Sequence, residues 1–367
     1  MADVRIASAA MTRFGKLDAS LLDLAAEAAE PALAGRAPDG IFVAAMAPEA
    51  FTGQGNLAVA VADRLGLSGV PAVRVETGPS SGATALHLGW AAVAVGEADR
   101  VLVLGCEKMT SLPSEEATRT VATLTHPDER AMGLSMPALG AMMARRAIHE
   151  GRCTREDMAQ ASVHAHAWGA KHARAHFRKA ITIEDVLASP VVADPLRVLD
   201  CAPMSDGAAA VVLEREGPVR IAGLGHATDH LALAARRGPD ALTSFAATKA
   251  AAAAAYRDAD WRPEQIQYAE VHDAFSIVAL CSVEDLGLCA PGKAGAVWRG
   301  EGVPVNRGGG LKARGHPVGA TGVAQAVEAF EQLTGAAGHR QVETRRALLH
   351  SIGGLGNNVL VTLLEAA

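Results

Sequence analysis

The residues between Asn306 and Gly322, NRGGGLKARGHPVGATG, set a single histidine, His316, among six glycines. The proline that follows it disfavours helical backbone at His316 and restricts where its ring starts. The flanking glycines let the main chain come close to a ligand or to a neighbouring strand. The trailing GATG opens an apolar, helix-like run, TGVAQAVEAFEQL. Free N–H groups and the positive end of that helix's dipole then lie beside the histidine. An imidazole, with an ordinary pKa near neutrality, serves there as a base or as a hydrogen-bond donor. Such a loop suits a reaction that develops negative charge on an oxygen.

The elements that must hold this loop occur twice. VRIA stands at Val4–Ala7 and again at Val219–Ala222, and each copy is followed by an Ala/Leu-rich helical stretch, from Leu21 and from Ala241. A strand-like segment comes next, from Gly40 and from Ile266. GVP recurs at Gly69 and Gly302, and GAT at Gly82 and Gly319, each GAT opening a helix. Apolar strands RVLVLG and ALLHSIG follow, and AAAVVLE and NNVLVTLLE close the two halves. The common order predicts two βαβ-type halves, hence two sheets covered by helices. Residues 110–189 have no counterpart in the second half and read as a mostly helical insertion covering a site. His164, His166, His172 and His176 fall within it. His172 and His176 would share a helix face, as metal-binding pairs do, but no third ligand stands at a recognised spacing. The expectation is a solvated face and no metal.

Bulk properties narrow the class. A chain of 367 residues suggests two domain-sized cores, and half of its residues are hydrophobic. The net charge of −6 and the absence of a Lys/Arg block argue against nucleic-acid binding. MADVRIASAAM lacks the basic and apolar regions of a signal peptide. No uncharged apolar run reaches the ~18 residues of a membrane span. Cys106, Cys153, Cys201, Cys281 and Cys289 contain no CxxC pair, which predicts free thiols and a cytoplasmic location.

Several segments together resemble the thiolase superfamily over nearly the whole chain. They are MTRFG at Met11, GCEKM at Gly105, SDGAAAVVL at Ser205, EVHDAFSI at Glu270, GGGLKARGHPVGATG at Gly308 and HSIGG at His350. The chain is most similar to the sterol-carrier-protein-2-type thiolases and the related archaeal and bacterial thiolase-like acetyl-CoA acetyltransferases. The resemblance implies an α/β thiolase fold, its duplicated βαβ halves forming a five-layered αβαβα sandwich. The halves would be residues 1–214, with residues 110–189 as insertion and lid, and residues 215–367. It implies a coenzyme A thioester as substrate, no bound cofactor, a homodimer or homotetramer, and a small zinc-ribbon/OB-fold partner protein. It also implies that His316 and His272 meet an enolate oxygen, with His350 nearby and Gly315, Gly353 and Gly354 supplying backbone to oxyanion sites.

The sequence departs from this family at both expected cysteines. The family's nucleophile lies three residues before the glycine that opens the first-half helix. In ETGPSSGATAL, that position is Pro79. Proline offers neither a nucleophile nor the backbone N–H that the family uses in its second oxyanion hole. Ser80 is the one hydroxyl able to replace it; Ser80 and Ser81 otherwise read as helix caps. Ser351 occupies the site of the proton-shuttling cysteine, and Ala274 stands where the sterol-carrier branch has another. Cys106 reads as strand packing. What remains is the enolate-stabilising half of the machinery, a pattern that resembles the cysteine-less thiolase-like aldolases. Those rely on tyrosines, whereas Tyr256 and Tyr268 lie outside the site motifs, so His350 or His272 is the expected base. The expected function is making or breaking a C–C bond beside an acyl-CoA thioester, by retro-aldol reaction rather than thiolysis. Ser80-dependent acyl transfer and a silent scaffolding subunit are the alternatives. Lys171, Arg174 and Lys179 are the candidate cations for coenzyme A.

Overall fold

The computed structural model describes residues 2–367. Its first half runs β1 (Arg5–Met11), α1 (Leu21–Leu33), β2 (Gly40–Ala44), α2 (Pro48–Thr52), α3 (Leu57–Arg64), β3 (Ala72–Val75), α4 (Ser81–Val95) and β4 (Val101–Lys108). Five helices follow: α5 (Ser114–Ala122), α6 (Pro127–Ala131), α7 (Met136–His149), α8 (Arg155–Gly169) and α9 (Ile183–Ala188). A short hairpin, β5 (Val191–Ala193) and β6 (Leu196–Arg197), leads to β7 (Asp206–Glu214). The second half is β8 (Val219–Thr228), α10 (Ala246–Ala259), β9 (Tyr268–Glu270), α11 (Ser276–Asp285), α12 (Ala294–Trp298), α13 (Thr321–Leu333), β10 (Arg346–Gly353) and β11 (Asn358–Ala366).

The strands pair in the order β3-β2-β4-β7-β1-β8-β11-β10-β9. The two sheets expected from the repeat are therefore joined at their β1 and β8 edges. Only two residue pairs make that seam, Arg5 with Arg220 and Ile6 with Val219, the two VRIA copies meeting antiparallel. The repeat extends to the far edge. β3 follows the first GVP and pairs with β2, and Val305 follows the second and bridges Ala269 of β9.

Three apolar cores separate five layers. One core packs α1 and α3 on the outer face of the first half-sheet. Another packs α10, α11 and the insertion's α7 on the second half. Between them a central core joins α4 and α13 to strands of both halves. The architecture is the αβαβα sandwich. Alanine dominates the helices because the layers approach closely. A Cβ on Gly225 of β8 would strike the backbone carbonyl of Ala251 in α10, and such contact tolerates no larger side chain.

The two GAT sequences lock the centre. A Cβ on Gly82 would lie 2.7 Å from the Val323 nitrogen, and one on Gly322 would collide with the Ala83 nitrogen. A Cβ on Gly319 would lie 2.6 Å from Ala45 Cα and 2.8 Å from the Ala44 carbonyl. Backbone meets backbone here, so no rotamer change relieves a clash. Gly322→Ala is expected to destabilise by about 3 kcal/mol or more, at the upper end of overpacking costs. Thermal denaturation beside the surface control Ala253→Gly checks this, and an unchanged Tm would refute the contact.

Candidate active site

His316 sits where three segments converge on its loop. A five-residue π-helical turn, Gly310–Arg314, precedes it. Gly315 then takes φ 114°, a conformation L side chains rarely adopt. The His316 N–H donates to Ser205 Oγ at 3.1 Å. Ser205 opens SDGAAAVVL, and its hydroxyl donates in turn to the Pro203 carbonyl. Beyond the proline, the Gly319 N–H donates to Glu107 of GCEKM at 3.1 Å. The same carboxylate accepts from Met46 N–H and Ala47 N–H. Burial pushes the Glu107 pKa up to about 7, and the three amides oppose that shift.

Hydrogen bonding assigns the tautomer of His316. Thr321 Oγ1 donates to the Pro317 carbonyl at 2.9 Å and so receives the His316 Nδ1–H at 2.6 Å. Its Nε2 is left with a lone pair. His272 is held from the facing loop. Both ends of the Asn306 amide grip Val271, accepting from its N–H at 2.7 Å and donating to its carbonyl at 2.9 Å. Asp273 accepts the Leu311 N–H at 2.7 Å. His272 Nδ1 accepts the Ile352 N–H at 3.4 Å, which places the proton on Nε2. The two rings stand edge to face, 5.3 Å between centroids and 87° between planes.

Neither imidazole is charged near neutral pH. Burial first, then Arg314, lowers the His316 pKa to about 3. Burial, then the neighbouring histidines His316 and His350, holds His272 well below its ordinary value. The pair therefore presents one N–H donor and one lone pair, which are the two functions that proton transfer beside a carbonyl requires.

Other residues singled out in the sequence lie elsewhere. Pro79 lines the same cavity as the histidine pair, but Ser80 does not. The Ser80 hydroxyl donates to the Thr77 carbonyl at 2.7 Å and accepts from Asn358 Nδ2 at 2.7 Å. It makes no side-chain cap on α4; Ser81 Oγ accepts the Thr77 N–H instead. Gly353 must be small, because a Cβ there would lie 2.6 Å from Ser80 Oγ. Gly354, at φ 59°, lines the cavity. Ser351 is buried with no partner for its hydroxyl. His350 faces away from the cavity toward Thr248 of α10, 3.1 Å distant. His350 is thus absent from the cavity wall, and of the two histidines that line it His316 keeps a lone pair on Nε2 while His272 carries its proton there.

The expected solvated histidine face does not exist. His164, His166 and His172 are all buried. His172 and His176 lie beyond the end of α8, on no helix, and diverge. His172 pairs with Glu328 at 2.8 Å, and His176 Nδ1 meets Ser205 Oγ at 2.9 Å. Among the described residues no group of His, Cys, Asp or Glu could hold a metal ion. None of the described helices is long and apolar enough to cross a membrane. Of the candidate cations for coenzyme A, Arg174 is paired with Glu331, and Lys171 lies over the Trp168 ring.

The histidine pair opens onto a cavity of about 560 Å³. The insertion supplies much of its wall, including Thr118, Val121, Leu124 and Met136, and the hairpin after it, with the residue that follows, adds Val192 and Val198. Sequence reasoning missed Lys312, Phe177 and Cys201 as wall residues. Lys312 stands four residues before His316, inside a motif read there only as a frame. The unfolded chain titrates His316 and His350 near 6.5, whereas the folded chain lowers both to about 3. Folding therefore favours their neutral forms. The associated stability is fully present above pH 6.5 and is lost as the pH falls toward 3. At pH 5 this amounts to a loss on the order of 2 kcal/mol per histidine. Thermal melts from pH 7.5 to 5 should show Tm falling, with a shallower fall in His350→Gln.

Two family models match the chain: "Thiolase, N-terminal domain" over residues 4–217 and "Thiolase C-terminal domain-like" over residues 225–366. An acetyl-CoA acetyltransferase from Methanothermobacter thermautotrophicus is 40% identical, the match covering 100% of both chains. Benzoylsuccinyl-CoA thiolase subunit BbsB of Thauera aromatica is 32% identical over 96% of this chain and 94% of that one. Among solved structures, an Ltp2-ChsH2(DUF35) aldolase superposes with a TM-score of 0.83 at 24% identity, covering 100% of this chain and 98% of that one. Human mitochondrial 3-ketoacyl-CoA thiolase gives 0.78 at 19% identity, covering 100% and 99%. These structural likenesses concern the fold.

Proposed function

The chain belongs to the thiolase superfamily, and from that premise we propose that it cleaves or forms a C–C bond at the α-carbon of an acyl-CoA thioester without an acyl-enzyme. It is an enzyme acting on acyl-CoA, like the acetyl-CoA acetyltransferases it matches end to end. One observation carries the finer reading. Two neutral histidines of opposite hydrogen-bonding character face one cavity, and the nucleophile position beside them is Pro79.

In the cleavage direction the substrate is a 3-hydroxyacyl-CoA. His316 Nε2 takes the proton of the β-hydroxyl. As that oxygen forms a carbonyl, the Cα–Cβ bond breaks, and its electron pair moves into the thioester as an enolate. The His272 Nε2–H donates to the enolate oxygen. Protonated His316 then returns its proton to the α-carbon. An aldehyde or ketone and a shortened acyl-CoA leave, and both histidines regain their starting states. The low pKa of His316 makes the resting ring a weak base. The developing enolate favours its protonated form through charge attraction in a water-poor site.

The homologues' name leaves acyl transfer through Ser80 as the competing chemistry. Ser80 opposes it by its orientation: its hydroxyl is committed to Thr77 and Asn358, and no histidine accepts its proton. The aldolase among the structural neighbours pairs this fold with a DUF35 protein, and we propose a small partner of that kind for this chain. A homodimer or homotetramer remains our expectation for its own assembly.

Intact mass spectrometry after incubation with acetyl-CoA should detect no acetylated protein. An adduct on Ser80 would sink the non-covalent mechanism. His316→Ala should lower kcat for 3-hydroxyacyl-CoA cleavage by about 10²–10⁴-fold. His272→Ala should lower it by about 10²–10³-fold through loss of one oxyanion donor. Unchanged turnover in either variant would remove that residue from the reaction.

A further inference from the structure

The cavity holds a second set of polar groups that the proposed reaction does not use. Lys312, in the π-helical turn, is 1% exposed, yet its side chain forms part of the cavity wall. Among the described residues it is the one Lys, Arg, Asp or Glu side chain in that wall. Its Nζ donates to the backbone carbonyl of Asp200. The Asp200 carboxylate is already committed to Arg155, to the Ser276 hydroxyl and to the Arg197 N–H. Asp273 acts on Lys312 only across space, and one of its oxygens holds the Leu311 N–H. Among the described residues, no carboxylate lies within 4.0 Å of the ammonium. Three N–H donors thus share one neutral acceptor.

His166 shares this wall. Its Nδ1–H donates to the Lys179 carbonyl at 3.2 Å, which leaves a lone pair on Nε2. Its ring stacks on Phe177, 5.6 Å between centroids. Elsewhere the wall is largely apolar, with Val198, Leu199 and Phe275 among its residues. Burial costs the ammonium more than the attraction of the Asp273 and Asp200 carboxylates, both beyond 4.0 Å, returns, whereas an isosteric apolar residue would carry no such cost. A bound anion removes that cost and gains a charge-assisted hydrogen bond.

We propose that the acyl chain accepted by this cavity carries a carboxylate, and that Lys312 is the specificity-determining residue that pairs with it. The inference rests on the reading of this cavity as an acyl-CoA site, but not on the retro-aldol step. The test is therefore an equilibrium one. Isothermal titration would compare succinyl-, glutaryl- and adipyl-CoA with butyryl-, valeryl- and hexanoyl-CoA, matched in carbon number. At least one dicarboxylic member should bind about ten- to a hundredfold tighter than its neutral counterpart, the range of a charge-assisted hydrogen bond. Lys312→Met should abolish that difference by weakening the dicarboxylic ligand alone, and Lys312→Arg should retain part of it. No preference in the wild-type protein would overturn the proposal. So would equal weakening of both ligands in a folded Lys312→Met protein. If Lys312→Met does not fold, the wild-type comparison decides alone. Failure of every acyl-CoA to bind would instead strike the underlying reading of the cavity.

Discussion

Everything near the site depends on backbone touching backbone where α4 and α13 begin. Gly82 and Gly322 bring the two helix starts into direct contact, and Gly319 presses against Ala44 and Ala45. This contact sets the GHP turn against β4, where Glu107 ties it down through the Gly319 N–H. It also sets Pro79 and His316 on one cavity. Main-chain contact leaves no slack, since it cannot be relaxed by rotamer changes. The ring of His316 thus inherits its position from the packing of two helices, one from each half.

The same packing controls protonation. The rings of His272 and His316 are 5.3 Å apart, so a proton on either disfavours a proton on the other. Burial drives both toward the neutral form, and the neighbouring Thr321 hydroxyl and Ile352 amide then decide which nitrogen carries hydrogen. The two rings end with complementary roles because their second nitrogens meet an acceptor in one case and a donor in the other. Chemical asymmetry arises from identical side chains without any difference in residue type.

The repeated succession of elements was legible because VRIA, GVP and GAT recur in one order and each lands on an equivalent element; that the two sheets join edge to edge was not. His316 was legible because its glycine and proline neighbours fix the local backbone, and His272 because EVHDAFSI is one of the segments that carry the family resemblance. The insertion's histidines were not. Helical spacing cannot reveal that the chain leaves α8 at Gly169, nor that His172 finds Glu328 on a helix from the other half. The direction of the Ser80 hydroxyl depends on Asn358, again from the other half. Lys312 was visible but uninterpretable, because its meaning depends on the cavity wall opposite. Local motifs encode backbone shape; the partner of a side chain is a long-range fact.

The narrow seam between β1 and β8 has a consequence for how the chain acquires its structure. Two residue pairs cannot hold the half-sheets together, so their union rests on the shared helical layer. α13 covers strands of the first half, and α4 reaches β11 of the second. During synthesis the first half emerges with its inner face covered by α4 alone until residues beyond 320 appear. Contacts so distant along the chain make folding slow and leave an apolar surface exposed meanwhile. A fold built by duplication has therefore surrendered the independence of its parts: neither copy completes its core before the other arrives.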